Sequence, residues 1–135
     1  MLEGDDFHSS AAREKMASGK PLQDSDRADW VDALVEALSS EKANQIILSC
    51  SALTHYVQRR FRNQVDRHPI FILLDAPRDV LEERIRQRTD HFMPVSLLDS
   101  QLEALRAPDD AIVIDACDNL KVIVDRICES LDDYV

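Results

Sequence analysis

Glycine is almost missing from this chain: Gly4 and Gly19 are the only two among 135 residues. A phosphate-cradling loop of the form G-x-x-x-x-G-K-[ST] is thereby excluded from the sequence, because it needs two glycines five apart with a lysine after the second. Gly19 is followed by Lys20 and Pro21, which reads as a helix end closed by a proline stop. A basic excess is missing too. The net charge is −10, so a general binder of nucleic acid, which needs a basic face, is not expected. The same acidity disfavours polyanions, and any phosphate site must come from a local arginine cluster. Cys50, Cys117 and Cys128 form no C-x-x-C pair, which excludes a zinc knuckle or dithiol redox motif. Their odd number and scatter point to a reducing compartment and buried thiols. No histidine pair has metal-ligand spacing, so no side-chain metal site is expected. No apolar run approaches the eighteen or so residues of a membrane span. The acidic opening Met1-Leu2-Glu3-Gly4-Asp5-Asp6 lacks the regions of a signal peptide. The expectation is a cytoplasmic protein without a membrane partner.

What is present is the composition of one globular domain, expected to occupy residues 1–135: 44% of residues are apolar, although only 5% are aromatic. A short helix is expected over 9–17, opened by Ser9 or Ser10. A second begins near Ser25 or Asp26, with Trp30, Val31, Leu34, Val35 and Leu38 on one face. The run 45–50 reads as a buried strand, and 54–66 as a helix polar on one side. Ile70-Phe71-Ile72-Leu73-Leu74-Asp75 is the clearest strand, apolar on both faces. A helix opened by Pro77 follows to about Arg88. After a break at 90–95 come a helix over about 96–105 and a third buried strand, 111–115. The last helix carries the stripe Leu120, Ile123, Val124, Ile127, Cys128 and Leu131, with Asp118 or Asn119 as its cap. Strands alternating with helices give an α/β fold: a three-layer parallel sheet with flanking helices.

The opening thirty residues carry the most specific signal. Gly4-Asp5-Asp6-Phe7-His8, Lys15-Met16-Ala17-Ser18-Gly19, Pro21-Leu22, Asp26-Arg27 and Trp30 together resemble the substrate-binding segment of the gluconate kinases, P-loop kinases of the shikimate-kinase and nucleoside-monophosphate-kinase type. Cys50-Ser51-Ala52-Leu53 resembles the C-S-A-L motif of that family. Asp90-His91-Phe92-Met93-Pro94 resembles its lid, expected over about 84–95, with Asp90 in place of a glycine. Ser100-Gln101-Leu102-Glu103 resembles its S-Q-F-E stretch. After Leu53 the likeness fades, and Glu3 and Asp29 stand where the family usually has aspartate and proline.

The resemblance implies transfer of phosphate from ATP, with Mg2+, to the 6-hydroxyl of D-gluconate, and a homodimer as the frequent family state. Asp5 is implied as the catalytic carboxylate that accepts or orients the proton of the attacking hydroxyl. Arg27 is implied as the clamp for the substrate carboxylate, since a guanidinium fork grips a carboxylate with two bonds. His8, Ser51, His91 and Gln101 are implied as substrate contacts, although Gln101 reads equally as a helix-surface residue. Arg84 and Arg88 share a helix face and are implied on the nucleotide side. Arg86 reads as readily as a solvated residue paired with Glu82 or Glu83. In the family a strand, a P-loop and a helix precede the segment that opens this chain. The expectation is thus a fold lacking that first unit, with the neighbouring strands either left with open inner edges or closed up on each other.

Overall fold

A computed structural model of the chain describes residues 1–89 and 93–134. In chain order the elements are β1 (Leu2–Glu3), a 3-10 turn (Gly4–Phe7), α1 (Ser10–Ala17), α2 (Asp24–Ser40), β2 (Leu48–Ser49) and α3 (His55–Gln64). They continue with β3 (Ile72–Asp75), α4 (Arg78–Gln87), a 3-10 turn (Val95–Leu97), α5 (Leu98–Ala104), β4 (Ile112–Asp115) and α6 (Leu120–Asp132). The α/β class holds: the strands pair in parallel and helices flank them. The described residues divide into two compact units. One comprises residues 1–69 with the described part of 90–106, and the other comprises 70–89 with 107–134.

In the first unit β1 pairs with β2, Leu2 opposite Leu48 and Glu3 opposite Ser49. β1 escapes a reading of the sequence because two residues are too few to show alternation. β2 is shorter than the expected 45–50 and is not buried: Ile47 is 67% exposed. The core instead lies on the helices. Trp30, Val31, Leu34 and Leu38 line the inner face of α2, and Val57 and Phe61 face it from α3. Met16, Leu97 and Leu98 are also buried. Helix starts follow side-chain chemistry. Ser9 Oγ accepts from the Ala12 N–H and Thr54 Oγ1 from the Val57 N–H. α2 begins a residue or two before the expected serine or aspartate, because Gln23 caps it in a capping box with Asp26. Gly19 ends α1 at φ +83°. The Lys20 N–H reaches the Lys15 carbonyl and the Gly19 N–H reaches the Met16 carbonyl, a Schellman closure.

In the second unit β3 pairs with β4 from Ile72 opposite Ile112 through Asp75 opposite Asp115. The expectation of strands covered on both faces fails here. Leu74 is 52% and Val113 58% exposed, while Ile114 is buried. The α6 stripe is also only partly covered, with Leu120 76% exposed. A two-stranded sheet is too narrow to give every apolar side chain a neighbour. Cys117 and Cys128, expected to be buried, are exposed for the same reason. Asn119 caps α6 by accepting from the Val122 N–H. No helix among the described residues is long and apolar enough to cross a membrane.

Candidate active site

The 3-10 turn after β1 is the structural centre of the candidate site. Gly4 is buried against β2, so close that a Cβ on it would lie 2.6 Å from Cys50 Cβ and 2.9 Å from the Ser49 carbonyl oxygen. That approach sets the turn directly beside the loop leaving β2. Trp30, on the inner face of α2, donates its Nε1–H to the Gly4 carbonyl at 2.8 Å. Its ring stacks on His8, centroids 4.7 Å apart and planes within 8°. From α1, Arg13 Nη2 donates to the Asp5 carbonyl at 2.7 Å. Asp5 and His8 are thus positioned from three helices or turns rather than hanging on a solvated tail.

His8 records what surrounds it. Burial pushes its pKa below the ordinary 6.5, the Asp5 carboxylate acts in the opposite direction, and the Arg13 and Arg27 guanidiniums push it further down. One imidazole therefore feels the Asp5 carboxylate and the charge of Arg27 together. Arg27 itself is nearly covered, with its side chain 12% exposed, and its Nη1 lies 3.1 Å from Asp24 Oδ1. The same Asp24 oxygen accepts from Thr54 Oγ1 at 3.0 Å. Asp24 thereby links the start of α2 to the capping residue of α3. Next to it, Lys15 Nζ contacts Asp26 Oδ2 at 2.6 Å, and that bond, with the Gln23 N–H, holds the Asp26 carboxyl below the usual carboxylate range.

Ser51 follows β2 and is exposed. Before it, burial pushes the Cys50 thiol up to about 12. A backbone hydrogen bond at Ala52 opposes this, and the charges of Glu3 and Asp5 add to it. Cys50 is thus a neutral packing residue, and its environment places Asp5 beside the same loop. After it, Ala52 sits at φ +39°, in the left-handed region. Gln101 lies on α5, half-buried, with Nε2 2.8 Å from Met93 Sδ. His91 and Asp90 lie outside the described residues. In the second unit Arg84 and Arg88 are exposed at the end of α4. Arg86 pairs with Glu82, as does Arg78, and the two together hold the Glu82 carboxyl low. The solvated reading of Arg86 is the observed one. At the exposed Cys117, partial desolvation and Asp115 push the thiol up, and the charge of Arg84 opposes them.

The chain is similar to a probable gluconokinase of Dictyostelium discoideum, 34% identical over 143 residues, covering 98% of this chain and 72% of that protein. It is similar to a solved unliganded sugar kinase of Janibacter sp. HTCC2649, with a TM-score of 0.86 and 35% identity over 97% of this chain and 79% of the other. This chain belongs to the gluconokinase family. A solved gluconokinase of Sinorhizobium meliloti 1021 is also similar, with a TM-score of 0.78 at 35% identity, covering 98% of this chain and 81% of that one. A family model described as serine hydrolase matches residues 6–120. The nucleophile elbow of α/β-hydrolases has the form G-x-S-x-G, and neither Gly4 nor Gly19 stands in such a sequence. The gluconokinase relatives thus decide the family.

The turn thus gathers Asp5, His8, Arg13 and Trp30, and Arg27 stands one helical turn before Trp30 on α2. The residues fit neither ATP nor Mg2+ by themselves. No group of three or more His, Cys, Asp or Glu side chains among the described residues is placed to hold a metal ion, and Gly4 and Gly19 make no phosphate loop. Sequence reasoning missed Arg13, Asp24, Thr54 and Gln58. Arg13 and Asp24 look like ordinary helix-surface charges, and only the folded turn brings them to His8 and Arg27.

Proposed function

We propose that this chain binds D-gluconate as the acceptor of a gluconokinase, the family's reaction being transfer of phosphate from ATP, with Mg2+, to the 6-hydroxyl to give 6-phospho-D-gluconate. Arg27 holds the sugar-acid carboxylate, its guanidinium being steadied by Asp24 through one nitrogen. Asp5 accepts the hydrogen bond of the acceptor hydroxyl and orients its oxygen. His8, Ser51 and Gln101 contact the remaining hydroxyls. The observation that carries this reading is that Gly4 seats the Asp5 turn on β2 beside the Ser51 loop, while Trp30, one helical turn from Arg27, donates to the Gly4 carbonyl and stacks on His8.

A second reading is favoured by the glycine count. Phosphoryl transfer depends on positioning and charge neutralisation around the phosphates, and residues 1–135 contain no phosphate loop. On that reading the chain binds a sugar acid, or a partner protein, without transferring phosphate. Titration calorimetry with D-gluconate and a coupled assay with ATP and Mg2+ separate the two. Binding with turnover at the 1–100 per second usual for kinases supports the enzyme. Binding without turnover supports the second reading, and no heat with gluconate removes its sugar-acid form together with the acceptor assignment. Arg27→Lys is expected to weaken gluconate binding at least tenfold, because a lysine cannot make the forked contact.

A further inference from the structure

Gln58 is the one polar side chain among the described residues that is buried in the core, 4% exposed. It lies in the first turns of α3, and its amide faces three segments. Nε2 donates to the Ala52 carbonyl at 2.9 Å and to the Arg106 carbonyl at 2.7 Å. Oε1 accepts from His55 Nδ1 at 3.1 Å. The loop is held a second time, because the Arg106 N–H donates to the Leu53 carbonyl at 2.8 Å. The residue so held, Ala52, has φ +39°, the only positive value at a non-glycine position among the described residues. An alanine does not choose that region unaided, and such a conformation persists where its surroundings fix it. Ala52 follows Ser51 directly, and Arg106 closes the segment that carries Gln101 on α5.

We propose that Gln58 is a positioning residue of the acceptor site: it holds the strained Ser51–Ala52 backbone and fixes it relative to the end of α5. Both N–H donors of one buried amide go to carbonyls of the two segments that carry Ser51 and Gln101. Losing the amide leaves both carbonyls without that donor and lets Ala52 relax out of the left-handed region, which turns Ser51 away. The inference rests on the acceptor reading above for its consequence in binding, but its structural part stands on the loop alone.

The test uses the full chain and four variants: Gln58→Met, Ala52→Gly, the two combined, and Ala52→Val. Backbone amide resonances are recorded without sugar, followed by melting temperature and the Kd for D-gluconate. Gln58→Met is expected to shift the resonances of residues 51–53 and 106 while leaving those of α2 in place, and to raise Kd about tenfold. Adding Ala52→Gly is expected to bring Kd back to within about threefold, because glycine accepts the left-handed region without support. That rescue is not expected if Gln58 contributes stability alone. Ala52→Val leaves Gln58 intact and makes the same conformation costlier, so it is expected to shift the same resonances and raise Kd. It also decides the matter if Gln58→Met fails to melt cooperatively. Unmoved loop resonances in both Gln58→Met and Ala52→Val overturn the proposal, as do moved resonances with an unchanged Kd. If the wild-type chain gives no heat with gluconate, the acceptor reading falls, and the sugar-free resonances still decide whether Gln58 sets the loop.

Discussion

Replacing Gly4 by alanine tests whether the 3-10 turn is seated on β2 as closely as the structure requires. The new Cβ would meet Cys50 Cβ at 2.6 Å, the Ser49 carbonyl at 2.9 Å and Cys50 Cα at 3.2 Å. Two of these partners are backbone atoms on or next to β2, so relief cannot come from a rotamer change. It must come from lifting the turn off the strand. Overpacking of this kind costs about 1–3 kcal/mol. Lifting the turn also stretches the bond from Trp30 Nε1 to the Gly4 carbonyl, a buried hydrogen bond worth about 1 kcal/mol. The total is about 3 kcal/mol, which for a chain of this length lowers the melting temperature by roughly 10 °C. Gly19→Ala is the matched control. Its Cβ would meet only Ser96 Oγ at 3.4 Å, but φ is +83°, so the cost is conformational and about 1 kcal/mol. Scanning calorimetry of the three proteins gives the order directly. A Gly4→Ala protein melting within about 1 °C of wild type, or above Gly19→Ala, would refute the packing argument. Since Asp5 follows Gly4, the Gly4 variant is also expected to bind gluconate more weakly, and the Gly19 variant is not.

The folded-state pKa of His8 lies below its ordinary 6.5, so the unfolded chain binds more protons than the folded one as pH falls. Stability from this group is full above 6.5 and is lost below it down to the folded value, and His8→Gln is expected to flatten the decline in melting temperature between pH 7.5 and 5.5. Cys50, its pKa pushed up to about 12 by burial, is expected to stay unlabelled by iodoacetamide at pH 8 while exposed Cys128 reacts; mass spectrometry of the labelled peptides reads the order. Leu34 is fully buried in α2, and Leu34→Ala is expected to cost about 2–5 kcal/mol in urea denaturation.

The helical half of the fold was legible because its signals are local. The spacing of Trp30, Val31, Leu34 and Leu38 marks the buried face of α2, and Ser9 and Asn119 cap the helices where a short polar side chain meets an apolar period. The strands were legible in place but not in burial. Ile46-Ile47-Leu48 and Ile70-Phe71-Ile72 read as fully covered because parallel strands usually are. Covering, however, depends on how many neighbours a sheet has, and each sheet here has two strands. The candidate site divides along the same line. Asp5, His8 and Arg27 stood out by family resemblance, and the fold sets Asp5 and His8 on one turn that Trp30, one helical turn from Arg27, holds by its bond to Gly4 and its stack on His8. Gln58 stood out by nothing. Its place in the helical pattern looks like surface, and its importance arises from carbonyls six and forty-eight residues away.

The chain carries a net charge of −10, yet the proposed ligand is an anion. The two are compatible because net charge and local charge act over different ranges. Carboxylates such as Asp118, Asp125 and Glu82 are already paired with Arg126, Lys121 and Arg78 or Arg86. What remains is screened over about 8–10 Å at ordinary ionic strength. Arg27 is nearly out of the solvent, where screening is weaker and a charged hydrogen bond is stronger. Asp24, which neutralises part of that guanidinium, approaches through one nitrogen and shares its oxygen with Thr54. A carboxylate offered by a ligand therefore competes with a partner already divided between two donors. Arg13 spends its fork in part on the Asp5 carbonyl, so it holds the turn while adding positive charge. An acidic protein can hold a sugar acid in this way because the cation that matters is nearly covered and fixed by a neighbouring group.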